Sequence, residues 1–174
     1  MDYSWIATRG IDTEKVLRTL GLTDTGERTD FTDGEYCAVD LPSGFFAIQT
    51  TTDDENFLET DLVEALSEDG EAYLCIVGED AMTSILLYCK GGEAEWVLSH
   101  AGEEGADHLD IEGELPAVFK ELHDRAVEDA KADEDPAEFF SLPIELGLAM
   151  TGYEAVRDLE GVEPGSIRVL AKVG

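Results

Sequence analysis

Three short apolar segments in residues 71–99 constrain the fold of this chain more than any other feature. They are rich in β-branched and aromatic residues, and residues typical of turns separate them. Residues 90–93, Lys-Gly-Gly-Glu, have the composition of a tight hairpin turn. The pattern therefore predicts an antiparallel meander of three strands.

The same reasoning assigns elements on both sides of the meander. Asp12 caps a predicted short helix that ends at Gly21, and residues 23–33 are expected to form a polar loop. A second helix is expected to begin at Asp53 or Asp54 and to end at Gly70. Further strands are predicted at residues 3–9, 35–41, 45–50, 108–111 and 167–173, and further helices at residues 115–132 and 143–151.

This order predicts a single α+β domain over residues 1–174, with a mainly antiparallel or mixed sheet and about four helices packed on it. Packing of the helices on one face is favoured, and coverage of both faces stays open. Regular alternation of strand and helix, which is typical of a doubly wound fold, is not found. A content of 43% hydrophobic residues is sufficient for a core.

Charge is the unusual part of the composition. The chain has 41 acidic and 11 basic residues, a formal net charge of −30, and Lys90 is the only basic residue between Arg28 and Lys120. Local ion pairs do not neutralise such a region, so a cation, salt or a basic partner is expected to relieve the repulsion. Nucleic acid and anionic membranes are excluded as partners because they repel this surface.

Three cysteines, Cys37, Cys75 and Cys89, lie in apolar segments, which indicates buried thiols in a reducing cytoplasm. Neither a basic leader with an apolar stretch nor an apolar segment of spanning length is present, so a cytoplasmic protein is expected. No phosphate-binding glycine pattern occurs, and we predict no cofactor and no structural metal.

Residues 100–108 hold the strongest enzyme-like cluster, with His100 and His108 among three carboxylates. One hypothesis is a metal-dependent enzyme that uses this loop. The spacing fits no known zinc pattern, and the alternative interpretation is a solvated acidic loop. A second hypothesis is a nucleophilic cysteine, Cys75 or Cys89, that reaches His100 across adjacent strands, but the apolar neighbours of both thiols favour burial over catalysis. We therefore predict no catalytic residue and no enzyme.

Large aromatic residues are the remaining candidates for an interface. Trp5 and Trp96 lie in predicted strands, which favours the core over an exposed anchor. Residues 139–143, Phe-Phe-Ser-Leu-Pro, follow a helix-breaking segment, and they either dock on the sheet or form an exposed anchor.

We expect the partner interface on two acidic segments. One is the polar side of the second helix, and the other is the loop that follows the meander. The predicted interface residues are Glu55, Glu59, Asp61, Glu64, Glu68, Glu103, Glu104, Asp107 and Asp110. A general adaptation to high salt, without a basic partner, is the alternative explanation of the acidity.

In size, in acidity and in its strand–helix start, Trp5-Ile6-Ala7 followed by residues 12–21, the chain resembles the small immunity proteins of bacterial toxin systems. These include the contact-dependent and type VI secretion classes. Residues 142–153 resemble segments of uncharacterised bacterial domains. The resemblance implies a stoichiometric inhibitor that binds a cognate toxin and blocks its active site. Nuclease toxins carry basic clefts, which a negative field complements.

Overall fold

The predicted meander lies inside a larger sheet in the computed structural model, which describes residues 2–134, 139–155 and 159–173. The strands are β1 Tyr3–Arg9, β2 Leu22–Thr29, β3 Tyr36–Asp40, β4 Phe46–Thr50, β5 Glu71–Gly78, β6 Thr83–Lys90, β7 Glu93–Ala101, β8 Asp110–Gly113 and β9 Ile167–Lys172. The helices are α1 Thr13–Leu20, α2 Thr60–Leu66, α3 Val118–Ala132 and α4 Leu142–Thr151. Short 3₁₀ turns cover Glu55–Phe57, Ser67–Asp69 and Gly102–Glu104.

These strands form one nine-stranded sheet in the order β2-β9-β3-β4-β1-β5-β6-β7-β8. Every neighbouring pair is antiparallel, so the mixed sheet that the sequence allowed does not form. The predicted α+β domain with four helices is confirmed. In the described part of the chain, no helix has the length and apolarity needed to cross a membrane.

Helices cover both faces of the sheet, and the expectation of helices on one face is wrong. Alternate residues of β1 point to opposite sides, so Trp5 joins one buried cluster and Ile6 joins the other. The Trp5 cluster packs against residues of α3 and α4, and this side is called the α4 face. The Ile6 cluster includes buried residues of α1 and α2, and this side is called the α2 face.

The first helix follows its prediction closely. The Asp12 side chain accepts a hydrogen bond from the Glu14 N–H, and Gly21 ends the helix with a φ of 69°. The spacing of apolar residues in this helix predicts that Val16, Leu17 and Leu20 form its buried side, and all three are buried. These contacts hold α1 against the α2 face.

The polar loop predicted at residues 23–33 is wrong, because Leu22–Thr29 is the edge strand β2. It pairs with β9, and the register shifts between Asp24 and Arg28. Gly26 lies in that irregularity with a φ of 86°, which favours glycine. Only Leu22 is buried in this strand, so its sequence lacks the apolar alternation by which strands are recognised.

The second predicted helix is divided into three pieces. Asp54 caps the first 3₁₀ turn by accepting a hydrogen bond from the Asn56 N–H, and Glu59 then returns to an extended conformation before α2. The spacing of apolar residues predicts one buried side of a continuous helix, formed by Phe57, Leu58, Leu62, Ala65 and Leu66. The break rotates the residues after it relative to that side. Leu58 is therefore 48% exposed, and the buried apolar residues are Phe57, Val63 and Leu66.

The aromatic segments are part of the core. Trp5 and Trp96 are 1% and 5% exposed, which confirms their assignment to it. The segment at Phe139 docks on the sheet, because its N–H donates to the Ala106 carbonyl and the Ser84 hydroxyl donates to the Phe140 carbonyl. This docking closes the α4 face beside α4.

Candidate acidic interface

Residues 55–68, which we call the α2 segment, present their carboxylates to solvent on the α2 face. The inner residues of this segment, Val63 and Leu66, pack on the sheet, which turns the polar side outward. Glu64 is half-buried, and the other predicted interface residues of the segment are exposed: Glu55, Glu59, Asp61 and Glu68.

None of these five carboxylates forms an ion pair with a residue that the structure describes. Two neighbouring carboxylates do have cationic partners. Asp54 pairs with Lys172, and Asp69 pairs with Lys15 at 3.0 Å. The outer surface of α2 therefore keeps its negative charge, while the acids at its two flanks are neutralised.

Burial raises the pKa of the Asp54 carboxyl, but hydrogen bonds from Lys172, the Asn56 N–H and the Tyr36 hydroxyl together hold it below its usual value. Asp54 is thus a structural acid that ties the start of the α2 segment to β9. It differs in kind from the unpaired carboxylates of α2.

The edge strand β8 adds two carboxylates to the same face. Side chains that oppose each other in an antiparallel pair share one face of the sheet. Glu112 lies opposite Val97, which packs in the α2-face cluster, and Asp110 lies opposite Ser99, two residues further along the same strand. Both are exposed. We call the surface formed by Glu55, Glu59, Asp61, Glu64, Glu68, Asp110 and Glu112 the acidic face.

The other predicted interface residues are separated from this surface. Glu103, Glu104 and Asp107 are exposed on the loop after β7. That loop bends toward the α4 face, where its Ala106 carbonyl accepts from the Phe139 N–H. The structure thus divides the nine predicted residues between the two sides of the sheet. Glu112 was missed by sequence reasoning, although alternation within the edge strand from Asp110 identifies it.

The two histidines of the loop serve its folding. His100 is 2% exposed, and its Nδ1 lies 2.8 Å from the His108 carbonyl oxygen. The Nδ1 of His108 accepts a hydrogen bond from the Ala101 N–H at 3.0 Å. The described residues contain no group of three histidine, cysteine or carboxylate side chains placed to hold a metal ion.

The cysteines lie apart from these imidazoles. His100 on β7 lies opposite Ser84 on β6. Cys75 is one strand further away, on β5, where it lies opposite Leu86 of β6. All three thiols are buried, and burial raises the pKa of Cys37 and Cys89 to about 12. At neutral pH these groups remain protonated and are poor nucleophiles.

Comparison with family models, with curated proteins and with solved structures yields no match to this chain. The class of the protein therefore rests on its own fold and surface. It is an antiparallel α+β domain with an unpaired acidic face on one side of its sheet. The likeness to immunity proteins stays a prediction.

Proposed function

We propose that this protein is an inhibitor of the immunity type, which binds the basic surface of a cognate toxin and blocks that toxin's active site. The observation that carries the proposal is the acidic face, whose α2 carboxylates have no cationic partner among the described residues. Clustered like charges destabilise a fold slightly, and a partner of opposite charge relieves that repulsion on binding.

The charge favours a protein partner with an arginine- and lysine-rich surface. A field of this sign accelerates diffusional encounter with such a surface, and the gain falls as salt rises. Binding over the partner's basic cleft also excludes its anionic substrate. Inhibition therefore requires no chemistry from the inhibitor itself.

The metal-enzyme hypothesis has weaker support. The Nδ1 atoms of His100 and His108 are both engaged with backbone groups of the same loop, so this arrangement uses the imidazoles to hold the loop. Binding of a metal through those nitrogens would require the loop to open.

Affinity capture with matched baits tests the proposal. The test bait carries Asp61→Asn, Glu64→Gln and Glu68→Gln on the acidic face. The control bait carries Glu103→Gln, Glu104→Gln and Asp107→Asn on the opposite side, which removes the same charge. We expect wild type and control to retain one basic protein at low salt, and the test bait to lose it.

The captured protein is then purified and assayed for its own activity. A stoichiometric equivalent of the wild-type domain should suppress that activity, and added salt should slow association. Equal capture by the two variant baits, or a partner whose activity continues in the complex, contradicts the proposal.

A further inference from the structure

An aromatic cleft on the α4 face has the components of a cation-binding site. It encloses about 540 Å³ where β5, β6 and β7 meet the segment before α3. Its volume is within the range of ligand-binding clefts. The lining residues that matter for binding are Arg9, Glu71, Tyr88, Glu95, Trp96 and Glu114.

The floor of the cleft is a row of aromatic rings on three adjacent strands. Tyr73 lies opposite Tyr88, and Tyr88 lies opposite Trp96, so the three side chains share one face. Ring centroids are 4.6 Å apart for the first pair and 5.6 Å for the second. Tyr88 is half-buried, whereas Tyr73 and Trp96 are almost fully buried. Tyr88 is therefore the ring that a ligand reaches first.

In the Arg9 half of the cleft, a cation of the chain itself is held between a carboxylate of the lining and an aromatic ring that is not part of the lining. The guanidinium of Arg9 lies 4.4 Å from the centroid of the Phe45 ring. The same group donates to both carboxylate oxygens of Glu71, at 3.1 and 3.2 Å. An aromatic face together with a carboxylate is the combination that binds a guanidinium well.

The other half repeats these components around Tyr88. Two exposed carboxylates, Glu95 and Glu114, stand at its rim. No cation of the described chain forms an ion pair with them or stacks on Tyr88. Burial raises the pKa of the Tyr88 hydroxyl, the charge of Glu71 and its hydrogen bond to this hydroxyl raise it further, Glu95 adds to this, and Arg9 offsets a part.

The wall that carries Glu114 is held in place by a close backbone approach. Gly113 has a φ of 78°, and a Cβ at this position would lie 2.2 Å from the Glu95 carbonyl oxygen. Only glycine fits where the chain passes over Trp96 toward α3. The carboxylates of Glu95 and Glu114 are therefore carried by two segments that touch, and the rim is set before a ligand arrives.

The cleft lies at the same end of the sheet as the last part of the acidic face. The Cγ of Glu68 is 3.3 Å from the place where a Cβ at Gly92 would stand, in the turn between β6 and β7. Lys90 of that turn lines the cleft. A protein bound to the acidic face can therefore extend around this turn to the cleft.

We propose that the Tyr88 half of the cleft receives an arginine side chain of the basic partner protein. This inference rests on the proposed function. Arginine is favoured over lysine because its planar guanidinium stacks on a ring while its N–H groups reach carboxylates in the same plane. Arg9 makes both kinds of contact, with Phe45 outside the cleft lining and with Glu71 inside it.

Two capped peptides test the site without the partner. The first is acetyl-Gly-Arg-Gly-amide, and the second replaces arginine by citrulline, which has a similar shape and no charge. We expect the arginine peptide to shift the indole N–H resonance of Trp96 at millimolar concentration. The resonance of Trp5, which is 1% exposed against Tyr153, serves as the internal reference. Citrulline should leave both resonances in place.

Substitutions then locate the binding. Tyr88→Leu and Glu95→Gln should each weaken the arginine peptide by about 3- to 10-fold. Tyr88→Phe keeps the ring and should bind like wild type, which separates loss of the aromatic face from damage to the fold. Glu93→Gln removes the same charge two residues before Glu95, outside the cleft lining, and should have less than a twofold effect. Lys90→Met should raise affinity, because it removes a like charge from the mouth.

Equal shifts by both peptides, or equal weakening by Glu93→Gln and Glu95→Gln, overturn the proposal. The second result would mean that the overall negative charge attracts the peptide. The outcome is independent of the capture experiment, since the free peptides need no partner. If the arginine peptide does not bind but the capture succeeds, the acidic face is the whole interface. If the arginine peptide binds but the capture fails, the cleft remains an arginine site and only the inhibitor function is removed.

Discussion

Helices α2 and α3 are both amphipathic and both rich in carboxylates, but only α3 carries basic residues that pair with its carboxylates. On α3, Lys120 pairs with Asp124 at 2.6 Å and Lys131 lies 3.7 Å from Glu128. The α2 segment contains no basic residue at all. Helix α3 thus neutralises itself, whereas α2 leaves its carboxylates to solvent.

This difference bears on the origin of the acidity. A general adaptation to high salt would spread the excess of carboxylates over all exposed helices. The excess is instead concentrated between Arg28 and Lys120, where Lys90 is the only basic residue. A local requirement, such as a basic partner, explains that placement better than composition does.

The largest expected effect is on the rate of association with the basic protein that the capture experiment is expected to yield. The triple variant Asp61→Lys, Glu64→Lys and Glu68→Lys should slow association by about 10- to 100-fold at low salt, because it reverses the steering field. Stopped-flow measurements over a salt series record this rate.

The control for this reversal is on α3, with Glu121→Lys, Glu128→Lys and Asp129→Lys. It changes the net charge equally and should alter the rate much less. If both triple variants slow association alike, only the total charge matters, and the contrast between the helices has no functional meaning.

The next effect concerns the neutralised flank of α2. Lys172→Met should lower the free energy of unfolding by about 1–2 kcal/mol at pH 7, because it removes a charge-assisted hydrogen bond to Asp54. The folded-state pKa of Asp54 is depressed, so its stabilisation is present above the unfolded value of about 4 and is lost as pH falls through the folded value. The difference between the two proteins should therefore shrink in acid.

Urea denaturation at several pH values measures this difference. Lys15→Met is the matched control, because its pair with Asp69 is solvent-exposed and should contribute about 0.5 kcal/mol or less. A constant difference between wild type and Lys172→Met from pH 7 to pH 3 would contradict the assignment.

Glu145 on α4 should show the opposite pH dependence. Burial raises its pKa, Arg125 offsets part of this, and Glu154 and Asp129 add to it. A raised folded-state pKa gives stability that is present below the unfolded value and is lost as pH rises through the folded value. Glu145→Gln should therefore stabilise the protein at pH 7, by a small amount because solvent screens this exposed side chain, and have little effect near pH 3. Denaturation curves at these two pH values decide the point, and a destabilised variant at pH 7 would refute it.

The smallest effect separates the two helices directly. Glu64 stands three residues after Asp61 on α2, so Glu64→Gln should raise the free energy of unfolding by about 0.2–0.5 kcal/mol at low salt. Glu121 stands four residues before Arg125 on α3, where Glu121→Gln should lower stability. Thermal melts in dilute buffer and at high salt compare the two changes. Stabilisation by both substitutions would show that α3 is repulsive as well.

The central strands could be predicted from the sequence because their apolar composition is a local signal. Tyr3–Arg9 and the meander bury residues on both faces, which concentrates β-branched and aromatic side chains in short segments. The edge strand β2 escaped detection because only Leu22 of it is buried. Its pairing with β9 joins residues about 150 positions apart, and no local pattern records such a contact.

The candidate site was predictable to the extent that charge is visible in sequence. The unpaired carboxylates of α2 follow from the lack of nearby basic residues. Their separation from Glu103, Glu104 and Asp107 depends on which face the loop after β7 bends toward, and that direction is a property of the folded sheet. The aromatic cleft combines residues from distant segments, such as Arg9 and Glu114, so only the register of the strands brings it together.

The two free edges of the open sheet affect whether copies of this protein associate with one another. Both β2 and β8 are edges, and an unprotected edge is a template for pairing with another chain. Carboxylates on β8, Asp110 and Glu112, oppose such pairing through mutual repulsion. A partner that neutralises these two residues removes the protection at the same moment. If a partner of the proposed kind neutralises Asp110 and Glu112, self-association through β8 is prevented only where that partner also covers this edge.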